Sequence, residues 1–125
     1  MLNDNPLVSV VITSYNRANL IEVAIQSVLA QDYPNVEIII SDNCSTDNTY
    51  EVMEKYLSNP KIRYYKNEQN IGMIPNYKIA TEQRTKGDYI TYVSSDDYLI
   101  NTSFISQAFH IITAHKNLLI FFGKN

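Results

Sequence analysis

The chain has 125 residues, 45% of them hydrophobic and 18% charged, with a formal net charge of −3. That balance suits one compact domain with a real core and argues against disorder. The pI near 5.2 argues equally against nucleic acid as a partner, since electrostatic capture needs clustered Lys and Arg.

The chain opens MLNDNP, with no basic stretch leading into an apolar one, so no signal peptide is expected there. A continuous apolar run, Val8 to Thr13, predicts a buried strand. Leu20, Ile21, Ala24, Ile25, Val28 and Leu29 then recur at helical spacing. After Tyr33-Pro34-Asn35, residues Val36 to Ser41 predict a second strand. Asn48, with Glu51 three residues on, has the form of a capping pair for a helix carrying Val52, Met53, Tyr56 and Leu57. Asn59-Pro60 ends it. Ile62 to Lys66 predicts a third strand, more polar and therefore near an edge. Pro75 suits the first turn of a further helix, and Gly87 its close. Tyr89 to Val93 predicts a fourth strand. Thr102 or Ser103 can cap a last helix bearing Phe104, Ile105, Ala108, Phe109 and Ile112, and Leu118 to Phe122 predicts a fifth strand. No apolar run approaches the ~20 residues of a membrane helix.

Strand and helix alternate throughout, and strands one, two and four read as apolar on both faces. The expected fold is α/β: a mostly parallel sheet with helices on both faces. Ligands bind such sheets beyond the carboxyl ends of the strands, where strand order reverses. Those ends are polar here: Thr13-Ser14-Tyr15-Asn16-Arg17, then Asp42 to Asp47, then Asn67 to Gly72, then Ser94-Ser95-Asp96-Asp97. No glycine-rich phosphate loop occurs, so a bound diphosphate needs another neutralising charge. Two adjacent carboxylates, Asp96 and Asp97, can hold a divalent cation that bridges to phosphate; Mg²⁺ and Mn²⁺ prefer such hard oxygen ligands.

Four stretches, in this order and spacing, give the chain a resemblance to family 2 glycosyltransferases of the GT-A fold. They are VSVVITSYNR, IIISDNCSTDNT, NIGMIPN and GDYITYVSSDD. The resemblance spans Pro6 to Gly123. It implies the Rossmann-like nucleotide-binding half of that fold, with residues 1–125 forming a single, C-terminally incomplete domain. It also implies roles. Thr13 and Tyr15 would line the base pocket, with the Tyr15 ring on a pyrimidine. Asp42 would accept a hydrogen bond from the base, and Asn70 would lie near the nucleotide. Asp96 would meet the ribose or the metal shell, and Asp97 would ligate Mn²⁺ or Mg²⁺ directly. The donor would be a nucleotide diphosphate sugar, UDP-linked. The acceptor in the full-length protein would be a saccharide or glycolipid, reached by inverting transfer.

The resemblance places the general base beyond residue 125, so no catalytic residue is assigned within the chain. It implies a cytoplasmic protein, peripheral at the inner membrane face when full length. Three departures stand out: Cys44 where the family often has Gly, Ser94 where it often has a further Asp, and Pro75 where Arg often precedes the second Asn. The family's sheet order, 3-2-1-4-6-5, would leave an open edge on strand four. Leu118 to Phe122 would then dock there or pair with a second copy in a homodimer.

Plainer readings stand beside these. Asp42 and Asn43 suit an Asx turn, and Asp47 suits a helix start. Cys44 has no neighbouring His to activate it, and as a lone cysteine it forms no internal disulfide. His110 and His115 show no metal-ligand spacing. A receiver-like phosphoacceptor domain needs acidic residues after strand one, where Thr13 to Asn16 stand. A non-catalytic nucleotide-binding or protein-interaction module on the same fold is the remaining alternative.

Overall fold

The computed structural model describes residues 4–115. Seven-residue strands rich in Val and Ile form the centre of the sheet, β1 (Val8–Ser14) and β2 (Val36–Asp42), both buried along their full length. The shorter β3 (Ile62–Lys66) and β4 (Tyr89–Ser94) flank them. The order is β3-β2-β1-β4, and every pairing is parallel. The expected order for these four strands, and the edge position of β3, are as observed. The strand expected at residues 118–122, and any homodimer formed through it, lie outside the described residues.

The helices are α1 (Ile21–Leu29), α2 (Thr49–Glu54), α3 (Met73–Ile79) and α4 (Phe104–Ala114). A π-helical turn, Ala80–Arg84, extends α3. Alternate residues of a strand face opposite ways, which divides the core in two. Val10, Ile12, Ile38 and Ile40 meet Ile21, Ile25, Met53 and Ile105 from α1, α2 and α4. On the other face Val11 and Ile39 meet Ala80, with Tyr65 beside them.

That second face differs from the expectation of an apolar one. Ser9, Glu37, Ser41 and Arg63 lie on it. Ser9 Oγ donates to Glu37 (2.6 Å), and the Lys86 N–H donates to the same carboxylate (2.6 Å). Arg63 pairs with its other oxygen at 2.5 Å. Helix α3 packs on β1 and β2 and reaches β4 through Tyr77, edge-on to Tyr92 at 5.5 Å, while Ile90 and Tyr92 remain 38% and 48% exposed.

Two local expectations, for Asn48 and Gly87, are corrected, and Pro75 lies in a first helical turn as expected. Asn48 makes no side-chain cap to α2; Asp47 does that work, accepting the N–H of Thr49 at 3.0 Å two residues on. Helix α3 opens at Met73, so Pro75 is its third residue, still in the turn that needs no N–H donor. Gly87 does not close that helix. Its N–H donates to Ser9 Oγ at 2.8 Å, and a Cβ there would sit 2.5 Å from that oxygen. Glycine is needed for the close approach of this loop to β1.

Candidate functional site

The chain steps from β1 out to β3, then returns to place β4 on the other side of β1. The crevice at this reversal is where parallel sheets bind ligands. An open cleft of about 290 Å³ lies there. The end of β1 contributes Thr13, Ser14 and Tyr15, the end of β2 contributes Asn43, and the end of β4 contributes Ser94, Ser95 and Asp96. Arg17 reaches in from the loop after β1. Asn70, Met73, Asn76 and Tyr77 close the side formed by α3 and the loop before it.

Two loops are tied together to make the floor. Asn16, at φ 51°, turns the chain after β1. Its Oδ1 accepts the N–H of Thr46 at 2.8 Å, and its own N–H donates to Ser45 Oγ at 2.9 Å. The Asn43 N–H donates to the Ser14 carbonyl at 2.8 Å. Cys44 occupies the left-handed region at φ 67°. Tyr15 is 42% exposed at this edge, so a ring face is open to a flat partner. Ser14 Oγ is buried in the cleft wall with no hydrogen-bond partner, the kind of group a ligand or water normally satisfies.

Of the residues singled out from the sequence, the structure brings Thr13, Tyr15, Asn70 and Asp96 to one cleft. Asp42 is not among the lining residues. It is fully buried beneath them. One of its oxygens accepts the N–H of Ser45 at 2.9 Å together with the Ser45 hydroxyl, and the other accepts the Tyr64 hydroxyl. Burial, then the Asp42 carboxylate, push the Tyr64 pKa far up, so that hydroxyl stays a donor. With both oxygens committed, Asp42 shapes the loop rather than facing the cleft. The next residue, Asn43, faces it instead.

Asp97 also stands outside the lining. Its Oδ1 accepts the N–H of Tyr98 at 2.8 Å, and its own N–H closes a turn onto the Ser94 carbonyl at 3.0 Å. Asp96 accepts the Ser94 hydroxyl and lies 3.9 Å from Arg17 Nε. The Ser94 hydroxyl first, then the backbone and Arg17, hold its carboxyl below the usual range. A turn, a hydroxyl and a cation thus make the adjacent carboxylates tolerable.

As a metal site, the two carboxylates give hard oxygen donors but not a cage. No group of three metal-ligating side chains occurs among the described residues. Mg²⁺ characteristically binds through one or two carboxylates plus substrate phosphates, and the Asp96–Asp97 pair fits that pattern.

From the sequence, Asn43, Asn67, Asn76 and Arg84 carried no site role. The one available signal was the recurrence of Asn at successive strand ends.

The defining pattern of glycosyl transferase family 2 matches residues 9–120. The Escherichia coli UDP-Glc:alpha-D-GlcNAc-diphosphoundecaprenol beta-1,3-glucosyltransferase WfaP is 36% identical over 110 residues, which cover 88% of this chain and 43% of that protein. S. aureus TarS 1-349 in complex with UDP aligns with a TM-score of 0.79 and 31% identity over 88% of this chain and 33% of that one. The mannosyltransferase PcManGT of Pyrobaculum calidifontis, in complex with GDP-Man and Mn²⁺, shares the fold at a TM-score of 0.79 and 22% identity, over 86% of this chain and 32% of its own. The chain therefore spans less than half the length of each of these proteins. With four strands in the order of that fold and a profile match over nearly its whole length, the chain belongs to glycosyl transferase family 2 and carries the N-terminal, Rossmann-like region of the GT-A domain.

Proposed function

We propose that this chain is the donor-binding half of a glycosyltransferase that moves a sugar from a UDP-sugar to an acceptor hydroxyl, with inversion. One observation carries the reading: three strand ends bring Tyr15, Asn43 and Asp96 into a single open cleft at the sheet's reversal point. The Tyr15 ring packs on the base, with Thr13 and Asn70 beside it. Asn43 takes the base contact first expected of Asp42, and Asp42 holds the loop from below. Asp96 and Asp97 would hold Mn²⁺ or Mg²⁺ at the rim, together with diphosphate oxygens. When bound, such a cation stabilises the departing diphosphate as a Lewis acid. Arg17 adds a fixed positive charge on the same side.

The TarS structures that hold UDP and UDP-GlcNAc support UDP as the nucleotide. Transfer needs an acceptor site and a general base matched to the working pH; no residue of this cleft is assigned to either role. The chain by itself accordingly binds nucleotide without transferring sugar. The lipid-linked acceptor in the name of WfaP supports a saccharide or glycolipid acceptor and a place at the inner face of the membrane. Among the described residues no helix is long and apolar enough to cross a membrane.

Replacing Tyr15 tests the base contact. Tyr15→Ala should weaken UDP binding by ~1–3 kcal/mol, the usual worth of one base–aromatic stack. UDP affinity unchanged in Tyr15→Ala, with the fold intact by circular dichroism, would remove the base from this cleft.

A further inference from the structure

A chain of hydrogen bonds with a fixed direction runs from Arg84 to the cleft wall. The π-helical turn delivers Arg84 beneath β2, where its guanidinium stacks 4.9 Å from the centre of the Tyr65 ring. Its Nη1 donates to Ser41 Oγ and its Nη2 to Asn67 Oδ1, each at 2.7 Å. A guanidinium has only donors, so both partners must accept. Asn67, its oxygen taken, turns its Nδ2 to Asn43 Oδ1 (3.1 Å) and Asn76 Oδ1 (2.9 Å). Ser41, having accepted, passes its own hydrogen to Asn76 Oδ1 at 2.6 Å.

The direction then carries to the cleft. Asn43 Oδ1 also accepts the N–H of Ile71 at 3.0 Å, and Asn43 Nδ2 donates to Asn70 Oδ1 at 2.9 Å. Asn70 Oδ1 accepts a second bond, from the Gly72 N–H at 2.9 Å. Asn76 Nδ2 gives one hydrogen to the Ser41 carbonyl at 3.0 Å. All three cleft-lining carboxamides therefore have oxygens that already accept two bonds within the protein. What remains unspent is N–H: two on exposed Asn70, one on Asn43 at 5% exposure, and one on Asn76, which is almost fully buried.

We propose that Arg84, acting through Asn67 and Ser41, is a positioning residue that sets this wall of the cleft as donor-only, and that the wall thereby selects a base presenting a keto oxygen over one presenting an amino group. The proposal rests on the nucleotide reading above. A uracil O4 accepts from such a wall, whereas the cytosine N4 amino group brings donor against donor. Without Arg84 the Asn67 amide loses the bond that fixes its sense. Asn67 can then turn over and set its oxygen against Asn43 Oδ1, a repulsion that competes with the Ile71 N–H for the sense of the Asn43 amide, so the wall no longer offers N–H alone.

The test is the ratio of UDP to CDP affinity, by calorimetric titration of the 125-residue chain. Wild type should favour UDP by about tenfold or more, the usual consequence of facing one desolvated donor with another. Arg84→Met should bring the two affinities together, and Arg84→Lys, which keeps a charged donor, should restore part of the preference. Asn67→Asp serves where Arg84→Met fails to fold. It still accepts from Arg84, but it sets a carboxylate oxygen against Asn43 Oδ1 and so opposes the sense that the Ile71 N–H gives the Asn43 amide, and the ratio should fall. A wild type that binds UDP and CDP equally, or a UDP preference unchanged in both Arg84→Met and Asn67→Asp, overturns the proposal and leaves the nucleotide reading standing. A wild type that binds neither nucleotide overturns both.

Discussion

Asp42 and Asn43 stand side by side at the end of β2, and strand alternation sends them to opposite surroundings. Asp42 is buried among Ser45 and Tyr64, and Asn43 lines the cleft. The sequence identified the pair's location but not which member faces the ligand. That choice depends on how the 43–47 loop folds back, and the loop is set by the Asn16 and Ser45 bonds between distant segments. Cys44 is the strained member of this loop. A side chain at φ 67° costs roughly 1–2 kcal/mol relative to the right-handed region, and glycine removes that cost while adding unfolded-state entropy. Cys44→Gly should therefore raise unfolding stability by about 0.5–1 kcal/mol in a urea titration. A loss of stability would mean that the Sγ contact to the Glu68 carbonyl, at 3.5 Å, outweighs the strain.

The elements were legible where burial dictates period. β1 and β2 are buried along their whole length with Val and Ile at most positions because helices lie on both faces, and α1 shows one stripe because only one face is covered. They were less legible where polar groups satisfy one another out of water. Glu37 and Arg63 sit in strands that a propensity argument reads as plain sheet, yet they anchor the polar side of the molecule. Burial pushes the Glu37 carboxyl up, but bonds from Ser9, the Lys86 N–H and Arg63 outweigh it, and its pKa falls below the ordinary 4.5. A depressed folded pKa contributes stability that is present above the unfolded value and is lost as pH falls through the folded one. Thermal stability should accordingly drop on acidification below about pH 4.5. Glu37→Gln should cost ~1.5–3 kcal/mol at neutral pH, the range for a charged hydrogen-bond partner. It should also flatten the acid limb of a Tm-against-pH profile. An unchanged acid limb in the variant would assign the loss to other carboxylates.

For the whole molecule, the cleft exists because strand order reverses beside β1, and that reversal was implied by the family resemblance rather than by any single element. The acidic pair at the end of β4 is placed by the same topology. Asp96 reaches the cleft from β4 while Tyr15 and Asn43 reach it from β1 and β2. On the proposed reading, a nucleotide spanning them would share a cation between the two carboxylates and its diphosphate. The most direct test is calorimetric titration of UDP into the wild-type chain and into Asp97→Asn, each with and without Mn²⁺. Mn²⁺ should tighten UDP binding strongly in wild type, and Asp97→Asn should keep its fold but lose the Mn²⁺ effect. Equal Mn²⁺-dependent affinity in both proteins, or no UDP binding by wild type with Mn²⁺ present, would contradict this reading.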